Sequence, residues 1–329
     1  MNSFFLTGSL CGVIAIWLLA SCTAGFWIQR VEPVLLDRAI AWLLLIASTA
    51  AVEEICSNES GVVRMVAIIG ALFLGMKIVV GVESRADYRV RLTTGQWAAF
   101  TLGWVGMRPA IFAALRRAAL PGAARLIGLG VRRTAVGACL VIVAARLHEY
   151  ADGYACDVLA NVIALVGLSL ILHFGLLNVM AGLWRLAGVD CPAVFRAPLS
   201  ARSLSDFWSR RWNRAFSEMA ALAVYRPVAR RWGSAAATMA VFLFSGFLHE
   251  LAISVPVRAG YGLPTLYFFL HGLLVLLERG GLHIERWGWL SHVWVLGWLT
   301  LPLPLLFHPT FIHEVVWPIV SASVERSLL

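Results

Sequence analysis

The sequence is poor in charged residues, which make up 14% of its 329 residues. Soluble globular domains carry about 25%, so a soluble enzyme is excluded. Lysine is almost absent: Lys77 is the one lysine, and the formal net charge of +9 therefore comes from arginine. The arginines lie between hydrophobic runs and form no separate basic domain, which argues against nucleic-acid binding.

Sequence motifs for metal, nucleotide and nucleophile sites are missing as well. The chain has no His-Glu-x-x-His pair, no Walker loop, no Rossmann glycine fingerprint and no nucleophile elbow. Its six cysteines have neither metal-ligand nor redox spacing, so they are predicted to be small buried side chains. We therefore expect no metal, and a serine hydrolase or an ATPase is disfavoured.

Hydrophobic residues are abundant, at 60% of the total, and they form long runs. Runs of about 20 residues cross the hydrocarbon core of a bilayer, where the backbone must satisfy its own hydrogen bonds as a helix. The pattern predicts an all-α polytopic membrane protein with about eight or nine transmembrane helices. The predicted spans are residues 4–28, 39–56, 62–82, 126–147, 155–186, 233–255, 264–279 and 289–307, with 311–324 as a further candidate.

Two stretches depart from this simple pattern. Residues 19–22 resemble a lipoprotein cleavage site, but no positively charged start precedes them, so the first span is expected to be retained. Residues 97–115 are interrupted by Arg108 and Pro109. Arginine is costly at the bilayer centre and proline removes a backbone donor, so a re-entrant or tilted helix is predicted there.

Arginine also predicts the orientation of the spans. One arginine-rich loop precedes the spans 126–147 and 155–186, and another follows them. Because two spans separate these loops, both lie on one side, which the positive-inside rule assigns to the cytoplasm. No internal repeat or soluble domain is visible. We expect one membrane-embedded domain over 1–329, with N-terminal spans and basic loops in 1–125 and the functional core in 126–329.

The longest polar connection contains a predicted amphipathic helix. Ser203, with Asp206 three residues on, is typical of a helix start. The following helix would place aromatic and apolar side chains on one stripe and arginines around the rest, as an interfacial helix does. The alternative is a helix that only tethers the loop to the bilayer. The stripe consists of Trp208, Trp212, Phe216 and Met219, and the arginines are Arg210, Arg211 and Arg214.

The next span contains an ionisable pair, His249 and Glu250. Intramembrane ionisable residues are expensive and usually functional, and a neutral imidazole can accept a proton from an alcohol. The alternative for His249 is a hydrogen bond between helices. Phe242, Ser245 and Gly246 share its helical face, where small residues leave room for a substrate chain or a neighbouring backbone. Glu250 points elsewhere and is expected to pair with an arginine.

A further histidine, His271, lies on a face with Tyr267 and Glu278 and is predicted to line the same cavity as His249. The segment SLSDFWSRRWN at 203–213, followed by FSGFLHE at 244–250, resembles the two signature blocks of the membrane-bound O-acyltransferase superfamily. The similarity is greatest to the long-chain-alcohol O-fatty-acyltransferases, the plant-type wax synthases. FFLHG at 268–272 and residues 298–309 also resemble that branch.

The resemblance implies a multi-helix fold with a tunnel through the membrane. His249 matches the catalytic base, and Asn213 matches the asparagine of the partner motif. Acyl-CoA is then the donor, and the alcohol attacks its thioester directly, without an acyl-enzyme. Residues near the cytoplasmic face are expected to bind the CoA moiety. These are Arg210, Arg211, Arg214, Trp208 and Trp212, with Arg226, Arg230 and Arg231 as second candidates or simply as positive loop charge.

The function expected is transfer of an acyl group to a lipid-like alcohol in the membrane. High arginine and alanine contents suggest a bacterial protein, located in the inner membrane. The acceptor therefore stays open: acetylation of a sterol, a polyketide or a glycolipid is the alternative reaction. A transporter with a polar path through His249 and Glu250 is the alternative of another class, but the paired broken helices of transporters are not visible.

Overall fold

The computed structural model describes residues 8–28, 30, 34–88, 91–115, 117–150 and 152–325, which form helices and no strand. Residues 4–7 of the first predicted span lie outside this part of the chain. The α-helices, in chain order, are α1 Gly8–Ile28, α2 Val34–Ile55, α3 Gly61–Tyr88, α4 Thr94–Gly103, α5 Ala123–Tyr150, α6 Tyr154–Ser169, α7 Leu177–Leu186, α8 Leu204–Asp206, α9 Arg214–Ala220, α10 Arg226–His249, α11 Val255–Val257, α12 Leu263–Arg279, α13 Leu290–Thr300, α14 Leu303–Leu306, α15 Pro309–Phe311 and α16 Trp317–Glu325.

Other helical turns connect or extend these helices. π-Helical turns have one extra residue per hydrogen-bonded ring and often mark functional positions. They occur at Leu170–Leu176, Phe207–Arg211, Ala221–Tyr225, Glu250–Ser254 and Ile312–Val316, and 3₁₀ turns occur at Pro109–Ala114, Pro198–Ser200 and Ile284–Arg286.

The chain divides into two compact units. The first consists of Met1–Ala113 and Ala197–His308, and the second of Ala114–Arg196 and Pro309–Leu329. Both signature segments, 203–213 and 244–250, therefore lie in the first unit. The expected single domain, with a boundary near residue 125, stays a prediction.

In the first unit, α10 and α12 run antiparallel and in close contact. A Cβ atom at Gly246 would lie 2.8 Å from Cα of Thr265, and one at Gly272 would lie 3.1 Å from Cβ of Phe242. Glycine at both positions lets the two backbones approach, as small residues do between membrane helices. A non-helical residue, Gly233 (φ 81°, ψ 175°), kinks α10 near its start. The straight part of α10 thus lies along α12.

The second unit is built around α5, which packs on α6 and α7 through glycines. Gly137 and Gly167 face each other so closely that a Cβ atom on Gly137 would lie 2.7 Å from the Gly167 carbonyl oxygen. Gly130 approaches Val179 in the same way. Small residues at regular helical spacing again permit this close packing.

Four described helical segments are long and apolar enough to cross a membrane, or five if Leu290–Leu306 and Pro309–Val324 together count as one span. The four are Gly61–Ser84, Ala123–Tyr150, Tyr154–Leu186 and Arg214–Val257. They contain the predicted spans 62–82, 126–147, 155–186 and 233–255. The all-α, membrane-embedded fold class is confirmed, while the count of eight or nine spans stays a prediction.

The interrupted stretch at 97–115 contains two short helical pieces. Helix α4 begins with a capping box between Thr93 and Gln96 and ends at Gly103. A 3₁₀ turn starts at Pro109, and Arg108 pairs with Glu218 at 2.6 Å. A ten-residue helix rises only about 15 Å, so this stretch is not a straight crossing.

Candidate active site

A cavity of about 300 Å³ in the first unit collects most of the residues predicted for the site. Its walls come from the segment 205–225, from α10 and from α12. Two sequence segments that lie about 30 residues apart thus face one space. The predicted residues that line it are Trp208, Trp212, Asn213, Phe242, Ser245 and His249.

His249 is the last residue of α10, and its ring lies against the cavity. Its Nδ1 lies 2.7 Å from the backbone carbonyl oxygen of Ser245, one turn earlier. A carbonyl oxygen only accepts hydrogen bonds, so Nδ1 carries a proton, and in the neutral ring Nε2 then keeps its lone pair. The ring of Phe268 lies 4.4 Å from the imidazole, centroid to centroid. The bond that holds His249 is made within its own helix, so the alternative of a bond between helices is not what orients this ring.

Asn213 begins α9 in an unusual backbone conformation. Its φ of 38° and ψ of 63° are left-handed, a region that asparagine tolerates better than most residues. The side-chain Oδ1 accepts a hydrogen bond from the backbone N–H of Phe216 at 3.1 Å, which is an N-cap. Because capping uses the oxygen, the Nδ2 amide group remains as the side chain's hydrogen-bond donor, and the residue lines the cavity.

The continuous amphipathic helix predicted from Ser203 onward is wrong. The serine cap itself is confirmed, since Ser203 Oγ accepts from the backbone N–H of Asp206 at 3.1 Å. The chain then passes through the π turn Phe207–Arg211 and leaves helical geometry at Trp212 and Asn213. The predicted stripe is broken because the extra residue of the π turn and the left-handed Asn213 change the helical phase.

His271 lies behind the cavity wall and not on it, which corrects its predicted position. The ring is completely buried. Its Nδ1 accepts a hydrogen bond at 3.2 Å from the indole Nε1 of Trp208, a residue of the wall. His271 therefore orients the indole that faces the cavity.

Glu278 fastens the first signature segment to α12. Its carboxylate accepts 2.8 Å hydrogen bonds from the backbone N–H groups of Leu204 and Ser205 and a 3.0 Å bond from Trp294 Nε1. A carboxylate at the first turn of a helix satisfies amides that have no partner within the helix. The sequence placed Glu278 on the face of His271, and the contacts show that it anchors α8.

The arginines predicted to meet CoA lie outside the cavity. Arg211 donates to Asp206 at 2.5 Å and to the carbonyl oxygen of Ala197 at 3.1 Å. Arg214 lies 3.8 Å from Glu218, and Arg210 is exposed. Two of the three guanidinium groups therefore already face carboxylates.

Two predictions about the second signature segment also need correction. Gly246 was expected to line the tunnel, but its missing side chain makes room for Thr265 of α12. The sequence left two uses for the small residue Gly246, room for a substrate chain or room for a neighbouring backbone, and the second is the one observed. Glu250 was expected to pair with an arginine, but its Oε1 accepts two 2.9 Å hydrogen bonds from the backbone N–H and the hydroxyl of Thr265. It caps the start of α12.

Helix α12 contributes cavity residues that the sequence interpretation missed. Phe268, Val275 and Arg279 line the cavity. Their spacing of seven and four residues is that of one helical face. This periodicity was readable in the sequence, but an arginine at the end of a hydrophobic run is equally typical of a cytoplasmic loop.

A second cavity, of about 560 Å³, holds the other arginine candidates. Its lining includes Arg226, Arg230 and Arg231 of α10 and also Arg38 and Glu83. Arg38 and Glu83 form an ion pair with each other at 2.8 Å. These arginines do not line the cavity of His249. Among the residues that the structure describes, no group of three His, Cys, Asp or Glu side chains could hold a metal ion.

All residues that line the His249 cavity, except Val275 and Arg279, lie in the part of the chain that matches a known family. Residues 191–271 match the membrane bound O-acyl transferase family. The resemblance inferred from the signature segments is therefore confirmed. The match to this O-acyl transferase family includes Asn213, His249 and His271, and it stops before Arg279.

Plant proteins with related names share a larger part of the sequence. The chain is 35% identical over 164 residues to the long-chain-alcohol O-fatty-acyltransferase of Simmondsia chinensis, covering 43% of this chain and 46% of that protein. It is 34% identical over 156 residues to the probable long-chain-alcohol O-fatty-acyltransferase 1 of Arabidopsis thaliana, covering 44% of each. The chain thus matches less than half the length of these relatives.

Proposed function

We propose that this protein is a membrane-bound O-acyltransferase that moves an acyl group from acyl-CoA to the hydroxyl of a lipid-like alcohol. The family match and the names of the relatives support this reaction class. One structural observation carries the proposal: His249, whose Nδ1 is bonded to the backbone carbonyl oxygen of Ser245, and Asn213 line the same cavity.

In the proposed mechanism, Nε2 of His249 is the general base. It takes the hydroxyl proton while the alcohol oxygen attacks the thioester carbonyl carbon, which forms the new C–O bond. The C–S bond then breaks, the CoA sulfur leaves, and the imidazolium returns the proton to it. Ester and free CoA result, without an acyl-enzyme and without net proton change. The Nδ1 hydrogen bond to Ser245 keeps the ring in the required tautomer.

Asn213 is proposed to stabilise the charge that develops on the carbonyl oxygen. Its Oδ1 is committed to the backbone of Phe216, so the Nδ2 donor is held in a fixed position. A preorganised donor of this kind stabilises an oxyanion more than it stabilises the ground-state carbonyl. Aromatic walls, including Trp208 and Phe268, would keep water away from the thioester.

The finer architecture belongs to the same proposal. We infer eight or nine spans, a tunnel that extends the cavity through the membrane, and arginine-rich loops in the cytoplasm of a bacterial cell, where acyl-CoA is available. The acceptor would enter from the membrane. The relatives are named for long-chain alcohols, and the apolar lining of the cavity supports an acceptor or acyl chain of that kind.

The experiment that tests the proposal measures ester formation by purified protein with labelled acyl-CoAs of several chain lengths and a panel of alcohols. His249→Ala should lower the rate by about 10²- to 10⁴-fold, the usual contribution of a general base. The variant should still insert in the membrane and unfold at the wild-type temperature. His283→Ala, which changes an exposed histidine, is the matched control. A His249→Ala variant that keeps most of its activity would exclude His249 as the base.

A further inference from the structure

The cavity has two chemically different ends along α10 and α12. At one end lies the His249 ring, 4.4 Å from the ring of Phe268. At the other end Nη1 of Arg279 donates a 2.8 Å hydrogen bond to Oγ1 of Thr238, and both residues line the cavity. The helices are antiparallel, so these two contacts lie at opposite ends of the stretch of α10 and α12 that lines the cavity.

Arg279 supplies the positive charge of this cavity. Of the described residues that line it, Arg279 alone carries a permanent charge, and no carboxylate lines it. Arg279 forms no ion pair with any residue that the structure describes. The neighbouring Glu278 is occupied by the amides of Leu204 and Ser205. The Arg279 side chain is also exposed at the protein surface, so an anion can reach it from outside the cavity.

The spacing of the two ends fits one class of molecule. Eleven residues separate Thr238 from His249, and eleven also separate Phe268 from Arg279. At about 1.5 Å per residue, either helix gives roughly 16 Å between the ends. An extended pantetheine arm covers a comparable distance between its sulfur and its first phosphate. A thioester at His249 would therefore place that phosphate near Arg279.

We propose that Arg279 binds a phosphate of the acyl donor at the mouth of the cavity and so selects phosphorylated thioesters. This inference rests on the proposed acyltransferase function. Guanidinium binds phosphate oxygens through paired, charge-assisted hydrogen bonds. Ser205, whose backbone N–H bonds the neighbouring Glu278, also lines the cavity and adds a hydroxyl donor. The side chains predicted for this task are less suitable, because Arg211 already bonds Asp206 and Arg214 faces Glu218.

The test compares two donors that carry the same acyl chain, acyl-CoA and the phosphate-free acyl-pantetheine. Arg279→Gln should lower kcat/KM for acyl-CoA by roughly 10- to 100-fold, the effect of losing a charge-assisted hydrogen bond, and leave acyl-pantetheine unchanged. Arg279→Lys, which keeps the charge, should recover part of the loss. Arg286→Gln removes an exposed arginine seven residues further on and should leave both donors unchanged.

Two outcomes would overturn the assignment. Equal losses with both donors would mean that Arg279 only supports the structure. If kcat/KM is unchanged in Arg279→Gln but falls for acyl-CoA alone in Arg230→Gln, the phosphate binds at the second cavity instead. If the wild-type protein forms no ester with either donor, the proposed function fails. Calorimetric titration of CoA into wild type and Arg279→Gln then decides the inference by itself, since weaker binding to the variant supports it and equal binding refutes it.

Discussion

At the scale of single residues, we propose that Asn213 combines two tasks, capping and substrate binding, that belong to different atoms of one amide. Its oxygen caps α9 through Phe216, and its left-handed backbone ends the preceding segment. Its nitrogen is the atom left for substrate. Alanine would lose both tasks. Loss of the N-cap costs about 1 kcal/mol, and alanine also lacks the short polar side chain with which asparagine tolerates left-handed geometry. A lower rate of ester formation in this variant could therefore come from either a folding defect or a catalytic defect.

Asn213→Asp separates the two tasks. The carboxylate can still accept from the Phe216 N–H, so the unfolding temperature should stay within a few degrees of wild type. It cannot donate to an oxyanion, so kcat should fall by roughly 10²- to 10³-fold, as when an oxyanion donor is removed. Thermal unfolding and steady-state ester formation measure the two effects. Wild-type turnover by Asn213→Asp would refute the donor role.

Residues differ in how much of their role the sequence reveals. His249 and Asn213 stand in recognisable motifs, so their candidacy needed no coordinates. The role of His271 depends on Trp208, 63 residues away, and no local pattern contains that pairing. Arg279 was missed because an arginine at the end of a hydrophobic run is expected either as a cytoplasmic loop charge or as a binding residue. The sequence does not distinguish the two, whereas the structure places Arg279 on the cavity.

At the scale of elements, the contact between α10 and α12 determines the shape of the cavity. It is closest at Gly246, where Thr265 lies, and Glu250 adds two hydrogen bonds to Thr265. The close contact of Gly246 and the hydrogen bonds of Glu250 therefore both hold α12 at Thr265. His249 lies between these residues in the sequence, so its position depends on this contact.

Gly246→Ala should disturb this contact. The added Cβ would lie 2.8 Å from the Cα of Thr265, which is backbone and cannot rotate away, so the helices must separate. Overpacking of this kind destabilises by about 1–3 kcal/mol, and both the unfolding temperature and the rate of ester formation should fall. Gly297→Ala is the matched control, because nothing lies within 4 Å of its new Cβ. An unchanged Gly246→Ala would mean that this contact does not hold the helices in place.

Elements were predicted well where one signal dominated. Long apolar runs were sufficient to predict α3, α5 and the helices of Tyr154–Leu186, because a backbone in lipid must form its hydrogen bonds within a helix. The segment from Ser203 to Met219 was predicted as one helix because its apolar residues keep helical spacing. The spacing cannot reveal a π turn or a left-handed asparagine, which depend on tertiary contacts such as those of Glu278.

At the scale of the whole molecule, a membrane-embedded fold contains a cavity with His249 at one end and Arg279 at the other. Four or five described spans support the membrane location. The cavity lies wholly within the first unit. Residues of both signature segments line it.

The most direct measurement is a cryo-electron microscopy structure in lipid nanodiscs with an unreactive thioether analogue of acyl-CoA. The account predicts that the analogue's sulfur lies next to Nε2 of His249 and Nδ2 of Asn213, with the pantetheine arm along α10 and a phosphate at Arg279. An analogue bound outside this cavity, with its sulfur remote from His249, would contradict the proposed chemistry.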